Sequence, residues 1–135
     1  MIQKVLLLLI IPAMIFSAES CYANNDTLIP VYRWYNIYNY NYATFAEGEL
    51  NDNELLIRGW SKKKFLFYAY KAPKPNTVAV NRWYNPYTRA YISVCEDEFT
   101  DEWMVLNGFT KKHTQYHALI EKGDNTVRVD RWLQP

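Results

Sequence analysis

The sequence has few of the residues from which catalytic and metal-binding sites are usually built. Its 135 residues include two cysteines, two histidines and four glycines. It contains no glycine-rich phosphate loop, serine nucleophile motif or zinc-ligand spacing. His113 and His117 would lie roughly 13 Å apart on a strand, which is too far to share one metal ion. We therefore expect a non-catalytic protein without a metal or cofactor; an enzyme that uses Cys95 or His117 is the remaining catalytic alternative.

The sequence also has no large excess of positive or negative charge. The 15 lysine and arginine residues nearly balance the 14 aspartate and glutamate residues, and the formal net charge is +1. Nucleic-acid binding usually requires a strong basic excess, so no nucleic acid is expected as a partner. The apolar run near the N-terminus is interrupted by Pro12 and is shorter than the roughly 20 residues of a membrane span. No stable membrane span is therefore expected in the mature chain.

The N-terminus has the features of a secretory signal peptide. Lys4 precedes the short apolar run, and small residues stand at the −3 and −1 positions of a cleavage site after Ala23. We predict a signal peptide over residues 1–23, a short segment over 24–30, and a secreted, periplasmic or extracellular location. An uncleaved signal anchor and lipid attachment at Cys21 are less favoured alternatives.

Cleavage there would leave Cys95 as the one cysteine of the mature chain. A disulfide within the domain is then excluded, so the core or an oligomer must supply the stability. The commonest role of such a cysteine is that of a small buried hydrophobic residue, and we expect this role for Cys95.

What the sequence does have is an internal repeat. The motif V-Y-R-W-Y-N at 31–36 returns as V-N-R-W-Y-N at 80–85 and as V-D-R-W at 129–132, with an offset of 49 residues each time. Residues 31–79 and 80–128 agree at 17 of 49 positions. Such periodicity is the signature of a repeat architecture. We predict a single repeat domain over 31–135, with a first unit (31–79), a second unit (80–128) and the start of a third (129–135).

Each unit is expected to contain two strands, a short helix and a third strand. Alternation over 77–85 predicts a strand, and the following Asn-Pro predicts a turn. Phe99, Trp103 and Leu106 are spaced at i, i+4 and i+7, so they are expected to share one face of a helix. The predicted fold class is α+β, with two tandem ββαβ repeats and a mainly antiparallel sheet. A closing strand near 127–133 would cover the sheet edge left by the second unit.

The opening strand of each unit carries the clearest hint of a binding site. Its valines mark a core face, so Trp34, Trp83 and Trp132 would lie on the more polar face, beside asparagines. Exposed aromatic rings flanked by asparagine suit sugar binding. The alternatives are that these tryptophans are buried under a neighbouring element, or that the faces are reversed, because Arg33 and Arg82 fall on the valine face.

Tyrosines in the turns are further candidates, since recognition residues concentrate in loops. Tyr38 and Tyr87 are the equivalent turn residues, and Tyr40 lies beside the first. The predicted ligand-binding residues of the two units are Trp34, Tyr35, Asn36, Tyr38, Trp83, Tyr84, Asn85 and Tyr87. Lysines at 62–64 and 111–112 follow both helices; they are interpreted as solvated turns or, alternatively, as a site for an anionic glycan or phosphate polymer.

The repeat resembles a family of bacterial extracellular repeats of unknown function, often appended to secreted cell-wall hydrolases, with the pattern Y-R-x-Y-N-P and a later G-W. Residues 82–88, R-W-Y-N-P-Y-T, match its opening, and Gly59-Trp60 with residues 67–69 match its close. The family's Gly-Asp-His is absent, because Arg89-Ala90-Tyr91 stands in its place. The resemblance implies an envelope or extracellular accessory module and transfers no catalytic residue.

These observations lead to two functional hypotheses. The first is a secreted binding module for a cell-surface or extracellular glycan or cell-wall polymer, which suits the aromatic, asparagine-rich repeat. The alternative is an envelope module that binds or scaffolds another protein, because repeats without catalytic chemistry also suit that role.

Overall fold

The computed structural model of the protein describes residues 6–9 and 27–130. These residues form a mainly antiparallel β structure with two short helices, which confirms that part of the predicted fold class. The elements in chain order are β1 (Leu6–Leu9), β2 (Leu28–Asn36), β3 (Tyr42–Ala46), α1 (Asp52–Ile57), β4 (Trp60–Tyr70), β5 (Thr77–Asn85), β6 (Ala90–Cys95), α2 (Asp101–Leu106), β7 (Thr110–Leu119) and β8 (Thr126–Val129). No helix within 6–9 and 27–130 is long and apolar enough to cross a membrane.

Two groups of three antiparallel strands make up most of the sheet. In the first group β2 lies between β3 and β4, and in the second β5 lies between β6 and β7. The groups join where Tyr70 of β4 pairs with His117 of β7. The central strands are rich in β-branched and aromatic residues, which favour extended backbone with neighbours on both sides.

The C-terminal strand does not lie where the sequence predicted. β8 pairs with β1 along its whole length, and β1 in turn meets β7 at Leu7 and Leu119. The expectation that β8 directly covers the edge of β7 is therefore wrong, because Leu6–Leu9 lies between the two strands. These leucines fall within the predicted signal peptide. The remainder of residues 1–23, with 24–26 and 131–135, lies outside the described residues.

The third strand of each group contains two bulges. Register shifts occur in the β2–β4 pairing on either side of Arg33, and in the β5–β7 pairing on either side of Asn81 and Arg82. An extra residue in one strand re-aims the side chains around it and increases the local twist. In β7 the extra residue at the first shift is Gln115, whose side chain is buried.

The core lies on both faces of the central strands. One cluster, which both groups share, is made by Val31, Ala46, Phe67, Ala69, Val80, Cys95, Tyr116 and Ala118. Two smaller clusters lie under the helices, around Trp34 with Leu55 and around Trp83 with Met104. Cys95 is buried, as predicted.

The face predicted from Phe99, Trp103 and Leu106 is not the buried face of the second helix. Met104 is the buried residue of α2, whereas Trp103 is 45% exposed and Leu106 is 86% exposed. The helix has six residues, fewer than two turns, and it starts at Asp101, so Phe99 precedes it. Phe99 instead stacks on Trp103 with the ring centroids 4.5 Å apart.

Candidate ligand-binding site

The two described tryptophans of the repeated motif are core residues. Trp34 is 3% exposed and Trp83 is 2% exposed. Trp34 packs with Leu55 of α1, and Trp83 packs with Met104 of α2. The expected exposed tryptophan platform is therefore wrong for these two residues, because a helix covers the strand face that the sequence pattern marks as polar. Trp132 lies outside the described residues.

The side chains of Asn36 and Asn85, two residues after the tryptophans, make hydrogen bonds with backbone groups. Asn36 Oδ1 accepts hydrogen bonds from the backbone N–H groups of Tyr38 (2.9 Å) and Asn39 (3.2 Å), and its Nδ2 donates to the carbonyl oxygen of Arg58 (3.1 Å). Asn85 makes the corresponding bonds around Tyr87. Both side chains are buried, so the prediction that they contact ligand directly is wrong. They hold each turn against the end of the neighbouring helix instead.

The tyrosines of the turns are exposed and supported from below. Tyr38 is 71% exposed and Tyr87 is 88% exposed. A Cβ atom added to Gly59 would lie 2.2 Å from Tyr38 Cδ2, so the ring rests directly on the glycine backbone. Tyr87 approaches Gly108 less closely, at 3.5 Å from the corresponding Cβ position. Each ring thus has a fixed support and a surface open to solvent.

The β2–β3 and β5–β6 turns lie side by side. Asn39 Nδ2 donates a hydrogen bond to the carbonyl oxygen of Arg89, at 3.2 Å. This contact brings the turn with Tyr38 and Tyr40 next to the turn with Tyr87. Tyr40 and Arg89 both have positive φ, 60° and 57°, in the left-handed region that favours glycine. Glycine would adopt this backbone conformation at a lower free-energy cost, yet both exposed positions carry large side chains.

The two remaining predicted tyrosines differ in their surroundings. Tyr35 packs against Tyr42 at 5.0 Å, with Lys62 over the Tyr35 ring and Arg33 over the Tyr42 ring. Tyr42 is exposed, so this group lies at the surface of the first three strands. Tyr84 packs against Tyr91, which also contacts the rings of Phe45 and Trp60. The surface around Tyr84 is consequently covered to a greater extent by the rest of the protein.

A buried ionic network, which the sequence analysis did not find, connects the two strand groups. Glu49 accepts hydrogen bonds from Arg82 Nε (2.8 Å) and Gln115 Nε2 (2.7 Å), and its Oε1 lies 2.9 Å from His113 Nε2. Arg82 also donates to the carbonyl oxygen of Thr44. Burial raises the pKa of Glu49, but the hydrogen bond and positive charge of Arg82, with the bonds from Gln115 and the Ala46 amide, hold it below the ordinary value of 4.5.

Two lysines of the predicted clusters form ion pairs with aspartates of the helices. Lys63 Nζ lies 2.8 Å from Asp52, and Lys111 Nζ lies 3.3 Å from Asp101, so each is tied to the start of the preceding helix. Burial lowers the pKa of Lys63, but the hydrogen bond and negative charge of Asp52, together with the charge of Glu47 and the interaction with Tyr32, outweigh this and raise it overall. Lys62 and Lys64 are both exposed, and Lys62 Nζ lies over the Tyr35 ring.

The described residues provide little enclosed space. A recess beside Lys63, lined by Tyr32 and Trp34, has room for about one water molecule. Within 6–9 and 27–130, no group of three or more histidine, cysteine or carboxylate side chains could hold a metal ion. The open surface of the tyrosine turns is therefore the better candidate for ligand contact.

Comparison with known proteins gives a family but no function. The family model described as Domain of unknown function (DUF5648) matches residues 14–119. No curated protein matches the chain, and no solved structure matches it. The family description neither supports nor contradicts the resemblance to secreted bacterial repeats, which stays a prediction.

Proposed function

The chain belongs to the DUF5648 family of domains of unknown function, and from this premise we propose that it is a secreted, non-catalytic module that binds extracellular or cell-surface glycan. The observation that carries the proposal is the pair of adjacent turns whose tyrosines, Tyr38 and Tyr87, rest on glycine backbone and expose their rings. Flat, supported aromatic rings can stack on the C–H faces of sugars with little loss of side-chain entropy.

The two turns are interpreted as equivalent parts of two tandem ββαβ units. Support comes from the sequence offset of 49 and from the order strand, strand, helix, strand, which occurs over β2–β4 and again over β5–β7. Equivalent asparagines, glycines and tyrosines build the same turn in each unit. A repeated contact of this kind suits a polymer with repeating sugars, because two weak sites joined rigidly bind more tightly than one.

Retention on insoluble peptidoglycan and a panel of neutral and acidic polysaccharides tests the proposal. We expect Tyr38→Ala and Tyr87→Ala each to weaken retention by up to about tenfold, because an aromatic stacking contact contributes about 0.5–1.5 kcal/mol and tenfold corresponds to about 1.4 kcal/mol. Ile120→Ser is the matched control. Ile120 is half-exposed and follows the end of β7 that lies farthest from the Tyr87 turn. Wild-type protein that is retained on none of the polymers would refute the proposal.

The alternative function is an envelope module that binds another protein. Exposed apolar side chains at the ends of both helices favour it: Leu56 and Ile57 on α1, and Val105 and Leu106 on α2. Exposed apolar residues that recur on two equivalent elements are typical of interaction surfaces. Under this alternative, Ile57→Ser and Leu106→Ser abolish capture of a specific partner, whereas Tyr38→Ala does not.

A further inference from the structure

The buried network around Glu49 defines a carboxylate-binding arrangement. Arg82 on β5 and His113 on β7 are directly opposite in the register of the two strands. Glu49 Oε1 lies between them, 2.8 Å from Arg82 Nε and 2.9 Å from His113 Nε2. Residues directly opposite on antiparallel strands point to the same face, so the pair forms a clamp for one carboxylate.

The first strand group has two cationic residues at the equivalent positions. Arg33 on β2 and Lys64 on β4 are directly opposite, and they stand 49 positions before Arg82 and His113. Both are exposed, whereas Arg82 is buried. Within 6–9 and 27–130, no carboxylate lies within ion-pair distance of Arg33 or Lys64. Two cations directly opposite on neighbouring strands destabilise the pair unless an anion lies between them.

The surroundings of Arg33 and Lys64 favour a sugar carboxylate over other anions. The Arg33 guanidinium lies 4.9 Å from the centroid of the Tyr42 ring, and Tyr42 packs against Tyr35. Stacking uses the face of the guanidinium and leaves its N–H groups at the edge free to bind a carboxylate. Residues 33–46 and 58–71 contain no aspartate or glutamate, so the local charge is positive.

We propose that Arg33 and Lys64 bind the carboxylate of an acidic sugar, such as a uronic acid, while the neighbouring tyrosines contact its ring. The inference rests on the proposed function, because it names the class of glycan for the same β2–β3 hairpin. The first strand group thus receives from a ligand the carboxylate that Glu49 supplies to the second group. The preferred polymer is an acidic polysaccharide.

Binding to polygalacturonate and to its methyl ester tests the proposal, because the two polymers share a backbone and differ in carboxylate charge. We expect polygalacturonate to bind about tenfold or more tightly than the ester, as a charge-assisted hydrogen bond implies. Arg33→Gln and Lys64→Gln should each remove this difference between the two polymers. Arg128→Gln, which removes an exposed arginine from β8, is the matched control.

A second measurement separates this inference from the proposed function. In 15N spectra of arginine side chains, galacturonate should shift the Nε–H signal of Arg33 and leave that of Arg82 in place, whereas galactose should shift neither. If Arg33 responds but no polymer is retained, the carboxylate site stands and the glycan function fails. If both polymers bind equally and Arg33 does not respond, the glycan function stands and the carboxylate site is overturned. Failure of both measurements overturns both.

A second copy of the chain is another possible source of a carboxylate. Sedimentation at low and high salt measures whether the chain forms a dimer. A wild-type dimer that Arg33→Gln converts to a monomer would overturn the sugar assignment, because a protein carboxylate would then occupy the clamp. We expect Arg33→Gln to leave the oligomeric state unchanged.

Discussion

Glu49 and Arg82 form a buried ion pair, 2.8 Å between Oε1 and Nε, that joins the loop after β3 to the central strand β5. Because both side chains are almost completely buried, removal of one partner leaves an uncompensated charge in the core. We expect Glu49→Gln and Arg82→Gln each to reduce the free energy of unfolding by about 3–5 kcal/mol.

Urea denaturation of the single variants and of the double variant Glu49→Leu/Arg82→Met checks this expectation. The double variant removes both charges at once and should be more stable than either single variant. Arg128→Gln, which breaks an exposed pair with Asp130, should change the stability by less than about 1 kcal/mol. A double variant whose loss equals the sum of the single losses would contradict a direct coupling.

The same pair makes stability depend on pH. The pKa of Glu49 in the folded protein lies below its ordinary value of 4.5, mainly because the hydrogen bond and charge of Arg82 overcome the cost of burial. Its contribution to stability is therefore present above about pH 4.5 and is lost as the pH falls through the lower folded pKa. Thermal melts between pH 2 and 7 should show this loss in wild type and a shallower dependence in Glu49→Gln.

The glycines under the two turn tyrosines permit a matched comparison. Gly59 and Gly108 both have positive φ, 85° and 84°, so alanine at either position costs about 1–2 kcal/mol in backbone conformation. At Gly59 the new Cβ would also collide with the Tyr38 ring, whereas at Gly108 the nearest atoms are 3.4 Å away or more. We expect Gly59→Ala to displace Tyr38 and reduce glycan retention, and Gly108→Ala to retain the Tyr87 contact.

Retention on the preferred polysaccharide, measured beside urea denaturation, separates the two effects. If Gly59→Ala and Gly108→Ala lose equal stability but only Gly59→Ala loses retention, the result would support a binding role for the Tyr38 ring. If both alanine variants bind as wild type does, the Tyr38 ring is not required in its observed position.

The sequence predicts the strands well and the site only in part. The alternation over 77–85 and the Asn-Pro turn are local signals, and the strand bounds of β5 agree with them. Burial of Trp34 and Trp83 depends on helices that pack over the polar strand face, which no local pattern reveals. The Glu49 network joins residues 33 and 64 positions apart, so no local sequence pattern reveals it.

The positive φ angles of Tyr40 and Arg89 lead to a prediction in which stability and binding change in opposite directions. Glycine at either position relieves a left-handed conformation that costs other residues about 1–2 kcal/mol. Part of this gain in stability is lost, because glycine also increases the conformational entropy of the unfolded chain. Tyr40→Gly and Arg89→Gly should therefore raise the free energy of unfolding by up to about 1 kcal/mol. If these side chains serve the ligand site, the same variants should bind polysaccharide more weakly.

Asn76 and Asn125 provide the control for this comparison, because they share the positive φ but lie in the loops before β5 and β8. Asparagine tolerates this conformation, so Asn76→Gly should change stability little and binding not at all. A stabilised Arg89→Gly that binds as tightly as wild type would show that arginine is retained there for a reason other than the ligand. A stabilised variant with weaker binding would mean that the strain is maintained because these two side chains belong to the binding surface.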